Sequence, residues 1–400
     1  MTQFHGQPAR GVTCQCCSAL WVLFGSALLA LACGGSPAAE APFVVPVPET
    51  APEDAIAAFL DKGGLPALMV GVVDGGQTLL GEVRGVRKRG DGTPVMLDDA
   101  FHIGSNTKAM TALLAGTVVD AGQLGWDTTV GGVLTGTVPV GDAFRGVTLA
   151  QLLNHSSGLP AHLDPSDEQS FEGSTEPVEA ERRRMAELVL ALPQPKESIP
   201  GKYFQYSNYN FVVAGVMLEV ATGKSWETLI AERLFAPLGM THAGFGSPAT
   251  PGLVDAPWGH DPSPVDPGLV SGVGPEAYGP AGTVHANLAD LLAYVQLYFD
   301  PGVGHEQPIL SQAALDEIET PRLHHYGFGW FVGPDENGEL VLWHNGSNGS
   351  FYSTLVLFPA RRGALIMVTN DGSNASWRRI AELDGYLAAH FGLPQQRPNL

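Results

Sequence analysis

The chain of 400 residues carries 41 acidic against 21 basic side chains, a formal net charge of −20, and 44% of its residues are hydrophobic. Such a charge repels phosphate backbones and argues against nucleic acid as a partner, and so high an apolar content excludes a disordered chain. With 50 glycines, 31 prolines and only 16% charged residues, the composition is that of a loop-rich globular chain, long enough for one large domain or two lobes sharing an interface.

Residues 1–32 read as a signal peptide of the lipoprotein type. Arg10 is the only basic residue among the first forty, and the apolar run ALWVLFGSALLALAC ends at Cys33, too short for a membrane span. LALACGGS resembles the lipobox at which bacterial lipoproteins are cleaved before a cysteine that becomes acylated. Cys33 is therefore the expected lipidation site, and a membrane-anchored protein facing the periplasm or cell exterior the expected localisation. All four cysteines (Cys14, Cys16, Cys17, Cys33) lie in this segment, which leaves the body without a disulfide or a cysteine metal site. Residues 33–52, rich in Pro and Ala, read as a semi-extended tether.

The body, 53–392, opens with a helix in PEDAIAAFLDKGG, followed by two strands in ALMVGVVDGGQTLLGEVRGV around an Asp-Gly-Gly turn. Helical periodicity then marks Thr107–Ala121, Leu149–Leu153, Glu179–Leu192, Tyr209–Thr222 and Trp226–Leu234. After a helix in NLADLLAYVQLYF come four strand patterns, YGFGWFV, ELVLWHN, FYSTLVLFP and ALIMVTN, and a last helix, Ser376–His390. Strands from both chain ends predict one antiparallel sheet. That gives an α/β lobe of 53–100 and 283–392, an inserted helical lobe of 101–282 and a tail of 393–400. The basic clusters RGVRKRG (84–90) and ERRRM (181–185) read as solvated strand or helix faces.

Three short motifs carry chemistry. FHIGSNTKAM sets Ser105 three residues before Lys108, on one face of a helix; a lysine takes a serine proton only when burial or another cation lowers its pKa. Gly104 allows a tight helix entry where backbone N–H groups can face an oxyanion. FQYSNYNF supplies Tyr206 and Asn208, and VLWHNGSNGSF supplies His344 and Gly346 at a strand end. Each is a weak signal alone, since His-x-Gly also occurs at His102, His242, His325 and His390. His155 reads as a brace of the loop beside the site, and Trp330, Phe331 and Trp343 as strand core. His324 and His325 lack a carboxylate at ligand spacing, so no metal is expected. No Gly-x-Ser-x-Gly occurs, which argues against an α/β-hydrolase.

In this order, and with FHIGSNTKAMTALLAGTVVDAGQLGWDTTV, LLNHSSGLP and GPAGTVHANLADLLAYV around them, the motifs resemble the penicillin-recognising serine hydrolases, in the branch of class C β-lactamases, D-Ala-D-Ala carboxypeptidases and related esterases. The resemblance covers about Glu53 to Phe391. It implies a β-lactamase/transpeptidase-like fold, α/β plus all-α, and no cofactor. It implies Ser105 as the nucleophile, Lys108 and Tyr206 sharing the proton transfers, and Asn208 orienting Lys108 and meeting the substrate amide. The N–H groups of Ser105 and Ser347 would form the oxyanion hole, with the His344–Ser350 strand, including Gly346, as one wall.

His344 departs from the lysine usual in β-lactamases of this branch. If it sits where that lysine meets a substrate carboxylate, a pKa near 6.5 would make preference for carboxylate-bearing substrates rise on acidification. The expected function is an exported serine hydrolase forming a Ser105 acyl-enzyme with small esters, amides or D-amino-acid peptides. A D-Ala-D-Ala carboxypeptidase and a class C-like β-lactamase are the alternatives within that chemistry. A non-catalytic peptidoglycan-binding envelope protein is the alternative outside it, and retention of Ser105, Lys108, Tyr206 and Asn208 argues against it. The expected partners are a small-molecule or peptidoglycan-derived substrate and, through the lipid anchor, a membrane.

Overall fold

A computed structural model describes residues 51–171, 173–268, 276–302 and 307–395. The expected signal peptide, Cys33 and all but the end of the tether lie outside the described residues, as do the last five residues of the tail.

The apolar run after the first helix, α1 (Pro52–Gly63), is β1 (Ala67–Asp74), and a Gly75–Gly76 turn returns it as β2 (Gln77–Gly85). The late strands are β3 (Phe331–Pro334), β4 (Leu340–Ser347), β5 (Tyr352–Phe358) and β6 (Gly363–Thr369). They form one antiparallel sheet in the order β2-β1-β6-β5-β4-β3, with Val70 opposite Met367 joining the two ends of the chain.

Both faces of this sheet are covered, which is why β1 is a continuous apolar run. Leu68, Val70, Val72, Val356 and Met367 pack with Ile56 of α1 and with Ile380, Leu383 and Leu387 of the last helix, α8 (Asn374–Phe391). Met69, Val73, Leu355, Ile366 and Val368 join the main core on the other side. There a Cβ at Gly71 would stand 3.1 Å from Leu288 of α6 (Leu288–Gln296), so β1 meets that helix closely. Each such aliphatic side chain contributes about 1.5–3 kcal/mol of burial.

The middle of the chain is mainly helical: α2 (Thr107–Asp120), α3 (Val178–Ala191), α4 (Asn208–Thr222) and α5 (Trp226–Ile230). Thr107 through Val118 are all buried, so α2 has no solvent face before its last two residues. Its Gly116 admits Leu310 and the side chains Ala314 and Ile318 of α7 (Gln312–Glu319), a helix with no counterpart among the predicted elements.

Three other features differ from the sequence-based expectation. Short strands lie within the insertion, Phe101–His102 and Gly244–Phe245 pairing with Val284–Ala286, and Gly259–Asp261 pairing with Ser263–Val265. The helix predicted to run to Leu234 widens into a π turn at Ala231–Phe235, just before Pro237, whose missing N–H cannot continue an α ladder. YGFGWFV is strand only from Phe331. Gly329 has φ +76° and lies so close to α2 that a Cβ would stand 2.6 Å from Ala109 N. Tyr326–Trp330 is therefore a loop, and it buries Tyr326 beside His344.

Candidate active site

Ser105 lies in a 3₁₀ turn, Gly104–Asn106, that leads directly into α2, and Lys108 follows one turn later with no exposed surface. The Lys108 Nζ is 3.0 Å from Ser105 Oγ, 2.8 Å from Asn208 Oδ1 and 2.7 Å from the carbonyl oxygen of Ala281. None of these partners is charged, and burial pushes the Lys108 pKa well below its ordinary value. In its neutral form the Lys108 amine has two N–H bonds and one lone pair. Asn208 Oδ1 and Ala281 O can only accept, so they take the two N–H groups; the Ser105 hydroxyl is the one partner able to donate to the lone pair. The three contacts thus place a base on the serine proton.

Tyr206 and Asn208 stand at the entrance of α4, where the side chain of the N-cap Ser207 accepts from Tyr209 N and donates to Pro160 O at 2.6 Å. The Tyr206 phenol hydrogen-bonds Ser105, and burial raises its pKa, so it is a protonated donor. The His155 ring packs against it, tilted by 40°, with ring centroids 4.3 Å apart. That imidazole is buried at φ +60°, and its Nδ1 accepts from Ser207 N at 3.3 Å and Asn210 Nδ2 at 3.0 Å. It braces the Tyr206 loop, as the sequence suggests.

The end of β4 meets the Ser105 turn backbone to backbone. A Cβ on Gly346 would overlap the Ile103 carbonyl oxygen and stand 2.9 Å from Ser105 N; one on Gly104, at φ +52°, would overlap Ser347 N. Only glycines permit this approach, which brings the Ser105 and Ser347 N–H groups into one neighbourhood. Two buried residues fasten it: Asn106 Nδ2 donates to Ser353 Oγ at 2.7 Å, and Ser353 Oγ donates to Ile103 O at 2.7 Å.

His344 is where the structure corrects the sequence reading. Only 2% exposed, it has both ring nitrogens engaged within the protein rather than open to titrate against a carboxylate. Its Nδ1–H donates to Asn345 O at 2.6 Å, and its Nε2 lies 3.1 Å from the Tyr326 hydroxyl. Burial pushes its pKa down to about 3, so it stays neutral at physiological pH. The half-buried residues of this stretch of β4 are instead Asn345 and Ser347. Tyr326, Asn106, Ser353 and Ala281 carried no motif of their own. Among the described residues no group of three His, Cys, Asp or Glu could hold a metal ion.

Residues 53–389 match the family model described as Beta-lactamase. The chain is similar to Penicillin-binding protein 4 of Amycolatopsis lactamdurans, 28% identical over 73% of this chain and 78% of that protein. It is 23% identical to Protein flp of Staphylococcus aureus (strain COL) over 83% of its own length, and spans 65% of that relative. Among solved structures, the octameric penicillin-binding protein homologue from Pyrococcus abyssi superposes with a TM-score of 0.68 at 23% identity, over 86% of this chain and 77% of that one. A D-stereospecific amidohydrolase from Streptomyces sp. does so with 0.64 at 22%, over 83% and 98%. These likenesses show the β-lactamase/transpeptidase-like fold. With a buried lysine on the motif serine and a family match across nearly the whole described body, the chain belongs to the Beta-lactamase family and is a serine hydrolase.

Proposed function

We propose that the protein hydrolyses small esters, amides or D-amino-acid peptides through an acyl-enzyme on Ser105. The observation that carries this reading is the Lys108 Nζ, wholly buried, unpaired with any carboxylate, and 3.0 Å from Ser105 Oγ. Lys108 takes the Ser105 proton as Oγ attacks the acyl carbon, and the displaced carbonyl electrons form an oxyanion facing the N–H groups of Ser105 and Ser347. Collapse breaks the bond to the leaving group, which receives the proton from Lys108 by way of the Tyr206 phenol. Water then attacks the ester, the same groups accept its proton, and Ser105 regains its hydrogen.

The D-stereospecific amidohydrolase among the structural neighbours supports including D-amino-acid amides. Export and anchoring through Cys33 belong to the same proposal, supported by the lipobox-like LALACGGS. The test is intact-mass analysis after exposure to p-nitrophenyl esters, a D-Ala-D-Ala peptide and a penicillin. An acyl adduct mapping to Ser105 is expected with at least one. A folded protein that gains no adduct from any of them, and turns none over, would favour a non-catalytic binding protein.

A further inference from the structure

We propose that the β4 wall of the cleft selects acyl donors whose leaving group bears no carboxylate, and that Tyr326 is the specificity-determining residue that keeps it so. This rests on the Ser105 acyl-enzyme reading and narrows it to esters and amides rather than peptides ending in a free C-terminal residue.

The hydrogen-bond inventory at His344 is closed. Asn345 O can only accept, so Nδ1 carries the ring proton; Nε2 is then a lone pair, and the Tyr326 hydroxyl is its donor. No N–H remains for an anion. Tyr326 is fully buried and cannot swing aside. Its ring is packed against His155 at 4.8 Å, Phe204 at 5.8 Å and Phe331 at 4.9 Å, and its backbone is tied at both ends, N–H to Leu323 O and C=O to Arg322 N.

The rest of the wall is uncharged. Ser347 Oγ donates to Phe351 O at 2.9 Å, and Asn345 Oδ1 accepts from Thr354 Oγ1 at 3.0 Å. Arg322, four residues before Tyr326, is bound to Glu317 and lies over the Phe328 ring at 3.9 Å. The groups facing His344 are the phenols of Tyr206 and Tyr326, the neutral His155 and Lys108; none is a carboxylate that would favour an imidazolium.

The experiment compares kcat/KM for an aryl ester whose leaving phenol bears a free carboxylate with that for its methyl ester, at pH 7.5 and 5.5. In the wild type the methyl ester should be preferred and the ratio should not change with pH. In Tyr326→Ala, Nε2 loses its donor and the ring that closes the space beside it, and becomes free to protonate against a bound carboxylate. The ratio should then shift toward the carboxylate ester on acidification by about fivefold or more, the worth of one hydrogen bond. Labelling of Ser105 by a fluorophosphonate confirms that the variant is folded and competent. Should Tyr326→Ala not fold, imidazole ¹⁵N shifts of wild-type His344 carry the test: an unprotonated Nε2 at both pH values is expected.

A wild-type ratio that rises on acidification, or a protonated Nε2 at pH 5.5, overturns the proposal while leaving the acyl-enzyme intact. So does a wild-type preference for the carboxylate ester that disappears in Lys202→Gln, since Lys202 is an exposed cation on the loop before Tyr206. A folded variant whose ratio matches the wild type at both pH values overturns the role of Tyr326. A folded wild type that hydrolyses neither ester and is not labelled at Ser105 overturns the acyl-enzyme reading as well.

Discussion

Lys108 and Arg182 are both wholly buried basic side chains, and they are held in opposite ways. Arg182, on α3, pairs with the carboxylates of Glu219 and Glu227 and donates through Nε to Ala277 O at 3.3 Å. Lys108 has a hydroxyl, an amide oxygen and a carbonyl, and no carboxylate. Burial is common to both, so burial alone does not make a base. Compensation decides: two carboxylates hold the guanidinium as a structural cation, while the amine without one has its pKa pushed down by burial and can serve Ser105 as a base. The two regions also touch. Arg182 binds the start of the segment whose later carbonyls, Pro280 O and Ala281 O, receive Thr111 and Lys108.

That contrast can be broken at either end. The largest effect is expected from Ser105→Ala, which should abolish turnover and fluorophosphonate labelling with an unchanged melting curve; undiminished labelling would place the nucleophile elsewhere. Lys108→Ala should slow acylation by about two to four orders of magnitude, the range for a lost general base, measured by stopped-flow release of p-nitrophenol. Arg182→Met should do the reverse. It leaves Glu219 and Glu227 without their cation and should cost about 3–5 kcal/mol in denaturant unfolding, the scale for breaking a buried ion pair, while the folded fraction still labels at Ser105.

Lys108 also sharpens the comparison through pH. Its folded pKa lies below the usual 10.5, so between those values the unfolded chain binds the extra proton and stability rises with pH across the window. Lys108→Met should flatten that rise in urea midpoints measured from neutral pH upward. The smallest effect is expected at Ser353, which touches no substrate. Ser353→Ala removes the fastening of Ile103 and should lower kcat by about tenfold to a hundredfold by loosening the approach of Ser105 and Ser347, with KM little changed.

The same contrast shows what a sequence can disclose. Ser105, Lys108, Tyr206 and Asn208 were legible because their spacing is itself the motif, and the sheet was legible because its strands are apolar runs bounded by turn residues. Arg182 was read within ERRRM as part of a solvated face. Its partners Glu219 and Glu227 are 37 and 45 residues away, beyond the reach of any local period. In RGVRKRG, likewise, Arg87 and Arg89 are spent on Asp99 and Asp371. Tyr326 was hidden in an apparent strand that Gly329 turns into a loop. His344 is recognised by position but its pKa is not, because it is buried against Tyr206 and Tyr326, distant in sequence, and against Phe331 of the neighbouring strand.

The most direct test of the account is the rate of Ser105 phosphonylation by a fluorophosphonate as a function of pH, since this reports the first proton transfer without deacylation. A single titration well below 10.5 is predicted in the wild type, with the rate rising as Lys108 loses its proton and the pH-dependent limb absent in Lys108→Ala. The same limb persisting in Lys108→Ala, or a wild-type titration at the ordinary lysine value, would contradict it.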